Sequence, residues 1–187
     1  SGFNRTNRAL SILPLCHIYE RMMNYMYQYL GMSIYYVDKI EKTSDFLKEV
    51  RPHCICVVPR ILEKIADKIA YKIRELPKSK KIIAKYAFRV AVNYDFYKKK
   101  RFFYNIQHQI LSKAVYKHWK ISLGNNLRVV VSGGAFLHPG LARMFWCMGI
   151  KLIEGYGLTE TSPVVAVGTL EKNGYKFETI GPVLNGV

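Results

Sequence analysis

The sequence predicts an α/β fold built on an open, mostly parallel sheet, and three observations carry that expectation. Short apolar runs rich in β-branched residues at 54–58 and 129–131 suit buried strands, and Lys151-Leu152-Ile153-Glu154 reads as a further extended segment. Each run stops at residues that break a strand: Pro59, then Ser132-Gly133-Gly134, then Gly155-Tyr156-Gly157. Between the last two runs Pro139 suits a first helical turn, and Leu141, Phe145 and Met148 share one helical face before Gly149. That is a β-α-β unit. Two parallel neighbours bring both of its glycine turns to the same carboxyl edge, where open sheets bind ligands.

Taken in order, 1–8 is a polar, frayed start. Ala9 to Leu13 is a buried strand stopped by Pro14, and it delivers the turn Leu15-Cys16-His17. From Ile18 the spacing is helical: Tyr19, Met22, Met23, Met26, Tyr27 and Leu30 form a stripe that ends at Gly31. Such a stripe is expected to pack into a core, although methionine is adaptable enough to line an apolar channel. Ser33 to Val37 reads as a second strand. Thr43-Ser44-Asp45 offers capping side chains to a short helix carrying Phe46, Leu47 and Val50, and Pro52 stops it. Cys54 to Val58 is the third strand.

From Arg60 to Gly124 strand patterns cease. Ile61, Ile65, Ile69, Ile73 and Leu76 mark one amphipathic helix, and Ile82, Tyr86, Val90 and Tyr94 a second after Pro77. Ile106, Ile110, Ala114 and His118 mark a third. These stripes are expected to dock inward and leave lysine-rich faces outside. Val164 to Val167 is a last strand, and no internal repeat or low-complexity linker appears.

The carboxyl edge carries suggestive chemistry. Gly133, Gly134, Gly155 and Gly157 admit close backbone approach by a flat ligand, and Tyr156 between two glycines has a ring face free for stacking. Thr159 adds a hydroxyl, and Glu160 a carboxylate that suits a hard cation such as Mg²⁺ beside phosphate oxygens. The set suits a nucleotide. On the residues alone, two ordinary strand-to-loop turns and a surface glutamate fit equally well.

Tyr156 to Pro163, YGLTETSP, resembles the Tyr-Gly-x-Thr-Glu signature of the adenylate-forming (AMP-binding) enzymes. Ser132-Gly133-Gly134-Ala135 is similar to that superfamily's adenine-flanking loop. LPLCHIYER at Leu13 to Arg21 and EVRPHCICVVPRILEKI at Glu49 to Ile65 look like long-chain fatty acyl-CoA synthetases. The resemblance implies a doubly wound α/β sheet at 9–59 and 127–167, a basic helical insertion at 60–124, and the start of a β-rich subdomain at 168–187. It implies activation of a fatty acid by ATP to an acyl-adenylate, then acyl transfer to coenzyme A. It further implies that Tyr156 stacks on adenine against Ser132 to Ala135, that Thr159 contacts phosphate, and that Glu160 ligates Mg²⁺. His17 would face the acyl-phosphate junction, and Arg60 would lie near the site. The family's phosphate loop and its lysine-bearing carboxyl-terminal domain are expected outside the chain, so that this piece alone does not turn over.

Half the residues are apolar, enough for one core in 187 residues. Cys16, Cys54, Cys56 and Cys147 sit in or beside apolar runs without a secretory leader, which predicts reduced, buried thiols in a cytoplasmic protein. No run approaches membrane-span length. The net charge is +16, and 60–124 holds seventeen Lys or Arg against four acids, an excess of thirteen. Its densest part, Lys98-Lys99-Lys100-Arg101 before Phe102-Phe103-Tyr104, reads either as a solvated face, the usual use of such a run, or as a contact with anionic lipid headgroups and peripheral membrane association. A basic module for membrane or nucleic acid is the alternative from another class. No nucleic-acid fold signature accompanies the charge, so nucleic acid is not expected as a partner. An adenylating enzyme for another carboxylic acid, or for a carrier-protein thiol, is the alternative within the resemblance.

Overall fold

A computed structural model describes residues 2–95, 102–170 and 175–186. The elements run β1 (Arg8–Ser11), α1 (Ile18–Tyr29), β2 (Ser33–Tyr36), α2 (Thr43–Val50), β3 (Cys54–Val57), α3 (Pro59–Glu75) and α4 (Lys78–Val92). They continue with α5 (Phe102–Leu111), a π-helical turn at Ser112–Tyr116, α6 (Lys117–Ser122), β4 (Val129–Ser132), α7 (Pro139–Cys147), β5 (Lys151–Gly157) and β6 (Val164–Val167). One six-stranded sheet has the order β2-β1-β3-β4-β5-β6. All pairs are parallel except β5 with β6.

That order explains where a ligand can sit. The chain leaves β1 in one direction to make β2, then returns past β1 to add β3, β4 and β5. Right-handed crossovers therefore put α1 alone on one face and α2 and α7 on the other. On the α1 face the strands show small or short side chains, Ala9 and Ser11 from β1 and Cys54 and Cys56 from β3. The opposite face carries Leu10, Ile55, Val57, Val130 and Leu152, all fully buried. Because α1 packs chiefly on β1 and β2 and reaches β3 and β4 only through Tyr27 and Tyr19, much of the α1-side surface of β3, β4 and β5 has no helix over it among the described residues. The order reverses between β1 and β3, and ligands bind at such switch points.

The helices of the insertion are where sequence expectations met and where they failed. α3 buries Ile61, Ile69 and Ile73 as its stripe predicts, with Pro59 at its first turn. α4 is turned over. Its inward residues are Ala84, Ala87 and Ala91, while Ile82 (71% exposed), Ile83 and Tyr86 face out. α4 packs closely on α7, and alanines allow that close approach where isoleucines would hold the two helices apart. The third stripe is also on the outside: Ile106, Ile110, Ala114 and His118 are exposed, and Leu111, Val115, Tyr116 and Trp119 are buried. The π-helical turn rotates the buried face between α5 and α6, which a fixed helical period does not anticipate.

Smaller differences have local causes. α2 has no side-chain cap, since the Thr43 hydroxyl donates back to the Ile40 carbonyl (2.6 Å). It ends at Arg51 in the left-handed region (φ 50°), before Pro52 is reached. β5 does not break at Gly155 but runs on through Gly157, because β6 supplies it with an antiparallel partner. Cys16 is exposed, contrary to the expectation of four buried thiols. α7 is buried on nearly every side, through Gly140, Ala142, Met144, Phe145 and Cys147, and not only along one stripe. Lys98 to Arg101 lies outside the described residues.

Candidate functional site

A cavity of about 950 Å³ occupies the uncovered part of the α1 face. At the carboxyl edge its wall is made by residues that follow four parallel strands: Pro14 and His17 after β1, Val58 after β3, Gly133 and Gly134 after β4, and the end of β5 through Leu158 and Thr159. From there it runs down the strands to Val129 and Cys54, flanked by Tyr19, Met22, Met23, Met26 and Leu30 of α1. From Gly133 to Val129 is four residues of strand, roughly 13 Å at the usual rise. One end is thus rich in glycine and backbone, and the other is apolar.

Pairing brings the two glycine segments together. Ser132 is in register with Glu154, so Gly133 lies beside Gly155. A methyl group added at Gly133 would meet the Gly155 carbonyl at 3.3 Å and the Tyr19 ring at 3.1 Å, so the floor is tight here. Gly134 has φ +79°, a conformation that turns the chain out of β4 and that glycine adopts without strain. Tyr156 is half exposed, its ring at the mouth of the cavity. His17 is exposed and caps α1 with extended backbone.

Of the eleven residues singled out from the sequence, His17, Gly133, Gly134, Gly155, Tyr156, Gly157 and Thr159 share this wall, whereas Arg60 lies off it, exposed and paired with Glu63 at 3.0 Å. Ser132, Ala135 and Glu160 are not on it. Ser132 ends β4 pointing to the opposite face, where it is buried and its Oγ has no hydrogen-bond partner. Ala135 and Glu160 are exposed just outside. Among the described residues no three His, Cys, Asp or Glu side chains gather as metal ligands. His53 is occupied elsewhere, its Nδ1 accepting the Arg8 backbone N–H at 3.0 Å.

Sequence reasoning missed the role of α1. Its methionine stripe was expected chiefly in the core, with an apolar channel as the alternative; Met23 and Tyr27 are buried, and Met22, Met23 and Met26 line the cavity. The available signal was the run of small residues on the sheet face opposite, which leaves space that no core residue fills. Beneath the floor lies a buried polar cluster. The Ser11 hydroxyl donates to Glu20 Oε1 (2.5 Å), and Asn24 Nδ2 donates to Ser11 Oγ (3.1 Å) and to the Glu20 carbonyl (2.9 Å). Burial raises the Glu20 carboxyl above the ordinary range, despite the opposing Ser11 bond. Burial likewise pushes Cys54 up to about 12 and Cys56 and Tyr19 higher still, so none of them is a ready nucleophile.

A doubly wound sheet with a glycine-lined cavity mouth at its carboxyl edge and an apolar trough behind it is the arrangement in which open α/β sheets take small-molecule ligands. The family model described as AMP-binding enzyme matches residues 1–187, and the chain belongs to that family. It is 34% identical over 161 residues to the peroxisomal long chain acyl-CoA synthetase 7 of Arabidopsis thaliana, a match covering 84% of this chain and 22% of that protein. To the long-chain-fatty-acid–CoA ligase FadD15 of Mycobacterium tuberculosis it is 27% identical over 182 residues, covering 96% and 30%. The fold is that of the adenylation domain of a Mycobacterium chelonae carboxylate reductase, with a TM-score of 0.61 at 18% identity, covering 86% of this chain and 22% of that one. MatB of Rhodopseudomonas palustris is similar at 0.59 and 16%, covering 98% and 27%. The chain therefore spans between a fifth and a third of the length of these relatives.

Proposed function

We propose that the protein carrying this chain activates a long-chain fatty acid with ATP, forming an acyl-adenylate and pyrophosphate, and then transfers the acyl group to coenzyme A. The observation that carries this reading is the single cavity whose mouth holds His17, Gly133, Gly155, Tyr156 and Thr159 and whose inner wall is Met22, Met26, Val131 and Ile153. The names of the long-chain relatives support it.

In this reading the adenine lies on the Tyr156 ring with its edge against Gly133 and Gly134, and Thr159 donates to the α-phosphate. The acyl tail runs down the trough against the methionines, so that its carboxylate emerges at His17. Two anions must meet for attack on phosphorus. Catalysis then depends on orientation and on donors that offset charge, not on a protein nucleophile. No described cluster forms a cage for Mg²⁺. The exposed Glu160 carboxylate suits an ion held mainly by nucleotide oxygens, as Mg²⁺ commonly is, and such an ion would neutralise phosphate charge.

The test is ATP–pyrophosphate exchange by the protein expressed from its full coding sequence, across saturated acids of increasing length. Each methylene taken into the trough contributes about 0.8 kcal/mol, roughly fourfold in kcat/KM. The rate should climb with length and then level off, and Met26→Trp should shorten the length at which it levels. Equal rates for short and long acids would defeat the assignment.

A membrane surface is the partner favoured by one further observation. The outward Ile82, Ile83 and Tyr86 of α4 and the outward Phe103, Ile106 and Ile110 of α5 are joined where Gln107 Nε2 donates to the Tyr86 hydroxyl. Lys78, Lys80, Lys81 and Lys85 lie along the same helix as the first three. An apolar face rimmed by cations suits an anionic bilayer on the cytoplasmic side, and Ile82→Ser with Ile83→Ser should reduce flotation with anionic liposomes. Unchanged flotation would remove this partner.

A further inference from the structure

On the other face of the sheet, where α3 lies over the start of α2 and the end of α6, is a second hollow of about 140 Å³. It shares no residue with the cavity described above. Lys48 of α2 and Lys64, Lys68 and Lys72 of α3 rim it, and Glu41 is the one carboxylate on its wall. Its floor is apolar, from Ile61, Ile65 and Leu123.

The lysines are arranged at a cost. Lys64, Lys68 and Lys72 follow one another at four-residue spacing, which stacks like charges on one helical stripe and destabilises it. An acid on the facing wall would relieve this, yet among the described residues none of the four lysines is in an ion pair. Lys68 instead donates from Nζ to the Ser44 hydroxyl at 2.9 Å, which turns its ammonium into the hollow. Three neighbouring cations on one side of a small concavity, with a hydroxyl and a fourth lysine on the facing wall, form a set of donors suited to an acceptor of several negative oxygens.

We infer that this hollow is a binding site for a phosphate group, carried either on a lipid headgroup or on a soluble molecule. The chemistry is charge-assisted hydrogen bonding from Lys64, Lys68 and Lys72, with Lys48 and Ser44 closing the far side. The apolar floor accommodates the uncharged part that a phosphate ester carries. The site is separate from the nucleotide cleft, so it stands or falls independently of the proposed activity.

The experiment is lysine footprinting on the protein expressed from its full coding sequence. Acetylation rates of individual lysines are read by peptide mass spectrometry in inorganic phosphate and in chloride at matched ionic strength. A parallel arm uses vesicles of phosphatidylcholine with and without phosphatidic acid. Phosphate should slow acetylation at Lys48, Lys64, Lys68 and Lys72 while Lys113 and Lys117, elsewhere on the insertion, are unaffected. One charge-assisted hydrogen bond corresponds to roughly a tenfold change in affinity, so Lys68→Gln should move the midpoint of protection at Lys64 and Lys72 by about that factor. Protection by both probes, or by either alone, supports the site, and the arm that protects identifies the source. Protection spread evenly over all lysines would mean diffuse attraction by the basic surface, and no protection in either arm would mean no site. Either result overturns the inference.

Discussion

Gly155 and Gly157 flank the same tyrosine, but the structure gives them different work, and alanine substitution separates the two. At Gly155 an added methyl group meets nothing nearer than Val167 Cγ2 at 3.8 Å and the Ala166 carbonyl at 3.9 Å, both ordinary contacts. At Gly157 it would lie 1.6 Å from the Pro163 carbonyl oxygen, 2.6 Å from its carbon and 3.0 Å from Val164 Cα. All three are backbone atoms, so no side chain can swing aside. The turn from β5 to β6 has to open by roughly 2 Å to restore contact distance, beyond the few tenths that overpacked side chains absorb at about 1–3 kcal/mol. Gly157→Ala should therefore cost more than about 3 kcal/mol, which at this domain size is a fall in melting temperature of about 6–12 °C. Gly155→Ala should leave stability unchanged or raise it by about 0.4–1 kcal/mol through the unfolded chain. Because Gly155 sits beside Gly133, against which the proposed adenine edge lies, that variant should nonetheless raise the KM for ATP. The assays are thermal unfolding and ATP–pyrophosphate exchange on both variants. Equal melting temperatures for the two would refute the close approach of Gly157 to Pro163.

Three further outcomes follow from burial and hydrogen bonding. Glu20 is fully buried and its folded carboxyl is raised by burial, so the stability it contributes is complete below the ordinary carboxylate range and is lost as pH rises through the folded value; Glu20→Gln should flatten the decline of the urea midpoint on the alkaline side, and an unchanged decline would exclude Glu20 as its source. His53 is lowered by burial first and by the Arg128 and Arg8 charges next, and its neutral Nδ1 accepts the Arg8 N–H. Stability should therefore fall as pH drops below the ordinary histidine range, and His53→Asn, which keeps an acceptor but does not titrate, should remove that acid-side slope in denaturant titrations. On α4, Ile83→Ser should change stability by no more than about 0.5 kcal/mol, whereas Ala87→Ile, at a fully buried contact, should cost about 1–3 kcal/mol; the reverse order in thermal unfolding would restore the inward-isoleucine reading of that helix.

That last contrast also shows where the sequence is readable. The strands were legible because residues such as Cys54 to Val57 and Val129 to Val131 are buried on both faces, and a continuous apolar run has few other uses. The edge glycines were legible for a related reason: a parallel sheet brings successive strand ends to one side, so Gly133 and Gly155 had to be neighbours once β4 and β5 paired. Amphipathic stripes carried less information. A stripe of isoleucines marks a face that avoids water, but it does not say what covers that face, and on α4 the partner helix selects alanine for its closeness while Ile82 and Ile83 remain outside. The methionines of α1 left the same choice open, between a core and an apolar channel, and they border a cavity. The common cause is that hydrophobic period reports preference for an apolar environment, and three environments satisfy it: a core, a ligand trough and a surface awaiting a partner. Only the sheet order, which leaves β3 to β5 largely bare on the α1 side, distinguishes the second from the first.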